Sequence, residues 1–352
     1  MKVGIIGLAR SGKTTIFNAL SGAHAAVGAF GSRDANVAVI KVPDERVDKL
    51  AEVYKPKKKT CAEFQFLDIA PNEAAGETKV LDTVALTLLK NADALVHVVR
   101  AFPNEDVMHP RGTVDPARDC RELEQELQIT DLLAIEKRIE RLEKEHHKGA
   151  DLDVLRRCRE HIEHGASLRS LALSAQEAHE IAGFSFLSQK PMLLLGNYGE
   201  ESIGSPDPSG LAAHAAQNGL SVIDLCGKME LEVAELPEEE RQAFRDDLGL
   251  GEESRTRFIH AAFDLLGLIT FLTVGDVEVH AWTTRKGTRA VDAAGLIHSD
   301  MQRGFIRAEV VRCADFIAAG SMAKVKEHGH MRLEGKDYIV QEGDILLIRF
   351  NV

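Results

Sequence analysis

The sequence is short of aromatic residues, of cysteine and of net positive charge, and each shortage removes a class of function. Phe, Trp and Tyr together make up 5% of the 352 residues, with one Trp and three Tyr. That argues against the aromatic stacking platforms of single-strand binders. The five cysteines, Cys61, Cys120, Cys158, Cys226 and Cys313, are scattered, odd in number and form no C-x-x-C pair. Neither a zinc site nor a disulfide framework is indicated, and a reducing compartment fits. The formal charge is −12, from 43 basic and 55 acidic residues, so a whole-surface basic footprint is absent and no DNA partner is expected. The longest strongly apolar stretch, Leu265 to Val274, falls far short of the ~20 residues a membrane span needs. The apolar run at Val3 to Ile6 is brief and no small-residue cleavage site follows it, which predicts a cytoplasmic protein with no membrane partner.

What is present describes a folded chain. Hydrophobic residues are 44% and charged residues 28%, and the length predicts two or three domains. The acidic excess lies before Leu268, because the remainder of the chain holds eleven Lys and Arg against eleven Asp and Glu. A neutral, Arg-containing end on an acidic body leaves room for a local anionic partner.

Near-continuous apolar runs at Val3–Ile6, Val37–Val42, Phe64–Ile69, Ala94–Val99, Met192–Leu195 and Val222–Leu225 alternate with helical patterns. They predict an α/β domain with a mostly parallel sheet covered on both faces. Between Asp119 and His164 the texture changes: Leu123, Leu127, Leu132, Ile135, Ile139 and Leu142 recur at spacings of three and four among Glu, Lys and Arg. Gly149 interrupts the pattern and Leu152, Leu155 and Ile162 resume it, which predicts a coiled-coil-like helical hairpin projecting from the sheet domain. Ser174 to Glu177 reads as a capping box. From Leu268 onward, strand-like runs at Ile269–Val274, Glu278–Thr283, Ile306–Val311, Tyr338–Gln341 and Ile345–Phe350 surround one helical stretch, Ala290–Leu296, and predict a small α+β domain. The resulting division is 1–118, 119–187 as the helical insertion, 188–267 as the return to the sheet, and 268–352.

Gly7-Leu8-Ala9-Arg10-Ser11-Gly12-Lys13-Thr14 fits G-x-x-x-x-G-K-[ST] between an apolar strand and a helix. Glycines let successive N–H groups curl around an anion, and the helix N-terminus adds a favourable dipole. Lys13 is expected on the β/γ-phosphates and the Thr14 hydroxyl on Mg²⁺, with Asp68 at a strand end as the second partner of the ion. Base recognition is sought at Asn197-Tyr198-Gly199-Glu200, where GTPases usually carry N-K-x-D. Glu200 is a methylene longer than that Asp and Tyr198 replaces the Lys, which weakens the case for guanine.

These residues resemble the YchF/Obg-like ATPase family of translation-factor-class P-loop GTPases. The resemblance runs through Gly7–Thr15, Asn36–Asp44, Phe66–Ala70, His97–Arg100, Val114–Asp119 and Glu136–Lys144. It continues through Leu268–Gly275, Ala281–Thr283, Gly304–Glu309 and Leu333 to Val352. It implies a P-loop NTPase domain with a helical insertion and a C-terminal ubiquitin-like TGS domain. It also implies ATP bound at least as well as GTP, Mg²⁺, slow hydrolysis, and association with ribosomes in translation and stress responses. Carried over by position, the nucleotide contacts are Arg10, Ser11, Gly12, Lys13, Thr14, Thr15, Asn197, Tyr198, Glu200, Cys226 and Gly227, and the metal contacts are Thr14, Ser32 and Asp68. Lys55–Lys59 and Arg285, Lys286, Arg289, Arg303 and Arg307 of the tail offer contacts to RNA phosphates, with a solvated surface as the equally supported reading of the lysine run.

Three departures touch the γ-phosphate. The family's D-x-x-G reads Asp68-Ile69-Ala70-Pro71 here, and Pro has no N–H to donate. The switch I Thr position is held by Ser32. Arg10-Ser11 replaces the usual Asn-Val, adding a positive charge beside the nucleotide. No catalytic residue is carried over, although Asn72 and Glu73 follow Pro71. Two further readings stay open: a nucleotide-dependent binding module that no longer hydrolyses, and a small-molecule P-loop kinase, which would want an arginine-bearing lid and no such tail.

Overall fold

The computed structural model describes residues 1–22, 36–69, 81–146, 149–250 and 253–351. In chain order, β1 (Lys2–Ile6), α1 (Lys13–Ser21), β2 (Asn36–Lys41), α2 (Glu45–Tyr54), β3 (Lys58–Thr60) and β4 (Glu63–Asp68) come first. Then follow α3 (Thr83–Lys90), β5 (Ala94–Ala101), α4 (Pro116–Lys144), α5 (Ala150–Glu163), α6 (Ala175–Ile181), β6 (Met192–Tyr198), α7 (Ala212–Asn218) and β7 (Ser221–Leu225). Next are α8 (Gly227–Glu235), α9 (Glu238–Leu248), α10 (Ser254–Leu265), β8 (Leu268–Thr273), β9 (Glu278–Arg285), α11 (Ala290–Ile297) and α12 (Ser299–Arg303). The chain closes with β10 (Phe305–Arg312), α13 (Cys313–Ala319), α14 (Met322–Glu327), β11 (Arg332–Glu334) and β12 (Asp344–Phe350). Two compact units result, Met1–Ala38 with Gln65–Ala262, and Val39–Phe64 with Phe263–Val352.

The first sheet runs β2-β4-β1-β5-β6-β7. Its inner pairs are parallel, as the near-continuous apolar runs predict, and seven of the eight β5 residues are buried. The registers Ile5↔Asp68 and Asn197↔Leu225 bring the carboxyl ends of β1, β4, β6 and β7 to one edge of the sheet, with His97 of β5 beside Ile6. In open α/β sheets that edge is where ligands bind.

One 29-residue helix serves two cores. Leu123 and Leu127 of α4 pack with Leu95, Val99 and Leu194 of the sheet, whereas Ile135, Ile139 and Leu142 pack with Leu152, Leu155 and Ile162 of α5. The hairpin therefore has its own hydrophobic interior in addition to its charged exterior. Asp131, near the changeover, is 2% exposed and accepts from the Leu187 N–H (2.9 Å), the Ser188 N–H (2.7 Å) and the Ser188 hydroxyl (2.7 Å). Asp115 caps α4, and Ser174 with Glu177 forms the expected capping box on α6.

In the second unit the order is β11-β10-β12-β8-β9-β3, with antiparallel β10–β11, β10–β12 and β8–β9 and parallel β12–β8 and β3–β9. Four sequence expectations change here. Lys58–Thr60 is an edge strand against Glu278–His280 and not a free basic loop, with Lys58 on Glu278 (3.0 Å) and Lys59 on Asp48 (2.7 Å). That pairing, with Tyr54 stacked on Phe316 at 5.4 Å and Arg46 on Glu342 at 2.6 Å, makes residues 39–64 part of this unit. The tail holds four helices among the described residues where one was expected, because α12, α13 and α14 are too short to show a period. Tyr338–Gln341 contributes one isolated bridge, Ile339 to Arg289, in place of a strand. Phe305 is buried, and Trp282 stacks on Phe271 and His280 with its Nε1 donating to the Thr273 hydroxyl at 2.9 Å, so both serve the core of this unit and neither is a stacking platform.

The phosphate loop and candidate nucleotide site

The loop between β1 and α1 is shaped by glycines at two places where nothing larger fits. Gly7 has φ 148, and a Cβ there would lie 2.3 Å from the Val98 carbonyl oxygen. Gly12 has φ 92, caps α1, and a Cβ would lie 2.3 Å from Asn197 Nδ2. The first-turn N–H groups of α1 have no acceptor within the helix, so the loop presents donors and a positive dipole end.

Lys13 is 5% exposed and its Nζ donates to the carbonyls of Gly7 (2.9 Å) and Leu8 (2.7 Å). Burial pulls its pKa down to about 8, against the opposing pull of Asp68. An ammonium held on neutral carbonyls is ready to exchange them for phosphate oxygens, since hydrogen bonds between ionised partners are roughly twice as strong. Thr14 Oγ1 donates to Asp68 Oδ2 at 2.9 Å, and Asn36 Nδ2 reaches the same oxygen at 3.3 Å. Asp68 is 1% exposed, and its Oδ1 has no partner among the described residues. Ser11, also buried, leaves its hydroxyl equally without one.

An orphaned carboxylate oxygen beside a hydroxyl suits a hard cation that takes oxygen ligands, and Mg²⁺ fits these residues. No cluster of three or more His, Cys, Asp or Glu able to hold a metal occurs among the described residues. A Mg²⁺ shared with phosphates and water needs few protein ligands, so Thr14 and Asp68 suit it without such a cluster.

Asn197 does something its sequence position did not reveal. Its Nδ2 donates to the Ser11 carbonyl (3.0 Å) and its Oδ1 accepts from the Gly227 N–H (3.0 Å), stapling the phosphate loop to the start of α8. The structure thus brings Ser11, Gly12, Asn197 and Gly227 together, with Ile16 of α1 against Gly227. Thr15 lies on the first turn of α1 and Cys226 caps α8, its thiol pushed up by burial. Tyr198 is half-buried. Glu200 is exposed and held by Lys228 Nζ at 2.7 Å, so its carboxylate is already engaged by a cation. Arg10 lies exposed on the loop with φ 63. Ser32, Ala70, Pro71, Asn72 and Glu73 lie outside the described residues.

Two buried histidines are described incompletely by the sequence. Its apolar strand makes His97 read as a satisfied core histidine; it is buried at 1% exposure, but neither ring nitrogen is partnered among the described residues, and burial pulls its pKa down to about 3. His109 was not singled out at all. Its Nδ1 accepts from the Arg111 N–H (3.1 Å), so Nε2 carries the proton and donates to Asp119 at 2.9 Å. A lone His before Pro110 in a polar stretch carried no signal, because its partner sits on α4.

Residues 268–351 match the family YchF-GTPase_C, described as a protein of unknown function (DUF933), and residues 2–137 match MMR_HSR1, described as 50S ribosome-binding GTPase. The chain is 40% identical over 366 residues to the "Ribosome-binding ATPase YchF" of Bacillus subtilis (strain 168), covering all of both chains. It is 40% identical over 360 residues to the protein of that name from Escherichia coli O157:H7, covering 100% of this chain and 99% of the relative. The solved Schizosaccharomyces pombe YchF GTPase superposes with a TM-score of 0.86 at 28% identity, covering 99% of this chain and 97% of the other. With its phosphate loop, its parallel sheet and its C-terminal domain, this chain belongs to the YchF family of P-loop nucleotide-binding proteins.

Proposed function

We propose that this protein binds ATP in preference to GTP, with Mg²⁺, on the loop Gly7–Thr14, and hydrolyses it slowly. The observation that carries the reading is the grouping of buried Lys13 and Asp68 with half-buried Thr14, one Asp68 oxygen being left without a partner among the described residues. Lys13 moves from the Gly7 and Leu8 carbonyls to phosphate oxygens, while Thr14 and Asp68 would hold Mg²⁺, whose chemistry is to neutralise charge across the β- and γ-phosphates. Gly227 and Asn197 border the base. Glu200, paired with Lys228, is not a free acceptor for the two guanine donors, which supports ATP over GTP.

The wider role follows the relatives named as ribosome-binding ATPases: a cytoplasmic partner of the ribosome acting in translation or stress responses. In this reading residues 1–118 and 188–267, apart from the 39–64 stretch that packs with the second unit, form the nucleotide domain, 119–187 the helical insertion and 268–352 a TGS-like domain. Within that last part Arg285, Lys286, Arg289, Arg303 and Arg307 are the candidate RNA contacts. No described helix is long and apolar enough to cross a membrane.

One sequence feature supports a second reading, a nucleotide-loaded binder without turnover. Pro71 stands where the family's glycine donates its N–H to the γ-phosphate. Loss of one hydrogen bond to a charged oxygen is worth roughly 1.5–3 kcal/mol, about a tenfold to hundredfold effect on rate. Single-turnover hydrolysis of ATP and GTP by wild type and Pro71→Gly separates the two. Restored cleavage in the variant makes wild type a binder, and a measurable wild-type rate that the variant does not improve makes it a slow ATPase. Failure to bind either nucleotide overturns both. Co-sedimentation with ribosomes in ADP and in ATP tests the partner.

A further inference from the structure

Lys13 is not the only cation on the phosphate loop. Arg10 occupies the middle of the loop at φ 63, a left-handed conformation that Asn tolerates well and a long side chain does not favour. Where the family usually has Asn, this chain accepts that strain for an arginine. Its side chain is exposed, and its hydrogen bond is a long one, from Nη1 to the Met108 carbonyl at 3.3 Å. Among the described residues no carboxylate pairs with it.

The acceptor, by contrast, is fixed. Arg100 donates from Nε to the Phe102 carbonyl (3.1 Å) and from Nη2 to the Val107 carbonyl (2.8 Å), with its guanidinium 4.6 Å over the Phe102 ring. Asn104 Oδ1 accepts from the N–H groups of Asp106 (2.9 Å) and Val107 (3.1 Å), and His109 on Asp119 closes the segment. Met108 therefore stays where it is when the Arg10 side chain leaves. A guanidinium resting on one neutral, distant oxygen of a rigid loop, beside a built phosphate cradle, is parked and not paired. Anionic phosphate oxygens displace a carbonyl readily, and the planar fork of arginine matches two of them at once.

We propose that Arg10 is a catalytic residue, an arginine supplied within the same chain to the transferring γ-phosphoryl group. The proposal rests on the nucleotide reading above. When a triphosphate binds, the guanidinium leaves Met108 for the oxygens bridging and flanking the β- and γ-phosphates. A water oxygen forms the new bond to γ-phosphorus, the bond from γ-phosphorus to the β–γ bridging oxygen breaks, ADP leaves with that electron pair, and the proton of the water passes to the released phosphate. Arg10 balances the charge spreading over these oxygens, the task for which an arginine finger is worth about 10³–10⁵ in rate. It also offsets part of what Pro71 removes.

The test uses the full chain with Arg10→Ala and Arg10→Lys. Affinity for MgADP is compared with affinity for ADP plus aluminium fluoride, a mimic of the transferring phosphoryl, alongside single-turnover ATP hydrolysis. The expected result is MgADP affinity within about twofold of wild type, fluoroaluminate-complex affinity down at least about tenfold, and cleavage down about a hundredfold or more. Arg10→Lys should recover part of both losses, and added guanidinium ion part of the loss in Arg10→Ala. Equal loss of both ligands means that Arg10 only pins the loop, and no loss of either means that it is a spectator; each overturns the proposal while leaving the nucleotide reading intact. Wild type that binds no ADP overturns the nucleotide reading, and the proposal falls with it.

Discussion

The two sheets of this protein treat their buried polar groups in opposite ways. At the carboxyl edge of the first, Ser11 Oγ, Asp68 Oδ1 and both nitrogens of His97 are buried with no partner among the described residues. In the second, Asp344 is equally buried yet accepts from the Tyr338 hydroxyl (2.7 Å) and the Gln341 N–H (2.9 Å), and Glu309 is gripped by Arg349 at 2.9 Å. An unmet buried polar group costs about 1–3 kcal/mol, so a fold keeps several together only where something else satisfies them. The first sheet leaves unmet the groups that the proposed nucleotide and its cation would meet at Ser11 and Asp68. The second meets its buried carboxylates from within and leaves Thr283 Oγ1 alone, among its described residues, without a partner.

The strongest attempt to break this contrast is Lys13→Met. If the phosphate edge is built for ligand, MgATP and MgADP affinities fall about a hundredfold, measured by calorimetry or a fluorescent nucleotide, while the fold persists. The pH dependence sharpens it. Lys13 in the free protein loses its proton near pH 8, and phosphate oxygens beside it raise that value. Binding therefore takes up a proton above pH 8, and affinity in wild type declines from pH 8 towards 10. A flat profile, or the same slope in Lys13→Met, removes Lys13 from the phosphate contact.

Next in size is Asp344→Ala, which strands the Tyr338 hydroxyl and the Gln341 N–H. It should cost the second unit about 2–3 kcal/mol in urea unfolding followed by the fluorescence of Trp282, the one tryptophan. Nucleotide affinity should stay within about twofold. A stability loss near zero would mean that the two sheets do not differ as described. Smallest is His97→Leu, which replaces two unpartnered nitrogens by an apolar group of similar size. Stability by circular dichroism should stay within about 1 kcal/mol, on the stabilising side. A loss above about 2 kcal/mol would show that an ordered water satisfies the imidazole.

How much of this was legible depends on how local each feature is. The phosphate loop was, since its glycines, its lysine and the flanking strand and helix lie within twenty residues and each is constrained by its own backbone. The hairpin helices were too, because the apolar spacing is sustained on both sides of Gly149, although α4 begins at Pro116, ahead of the expected Asp119. That α4 divides its apolar face between two cores was not, because the periodicity is the same in both halves. Lys58–Thr60 became a strand through partners more than 200 residues away, and composition favours a loop there.

By itself, then, the sequence determined the loop at Gly7–Thr14 and its fitness for an anion, since glycine freedom, a helix terminus and Lys13 are properties of eight consecutive residues. It also identified Asp68 as the acid facing Thr14. Tertiary structure alone decided that Asn197 staples the phosphate loop to Gly227, that Lys228 occupies Glu200, that His97 goes unpartnered, and that Arg10 rests on a carbonyl and not on a carboxylate. The reason is one of range. Backbone conformation follows from neighbours in sequence, whereas what a charged or polar side chain meets is fixed by the register of strands and the packing of helices far along the chain.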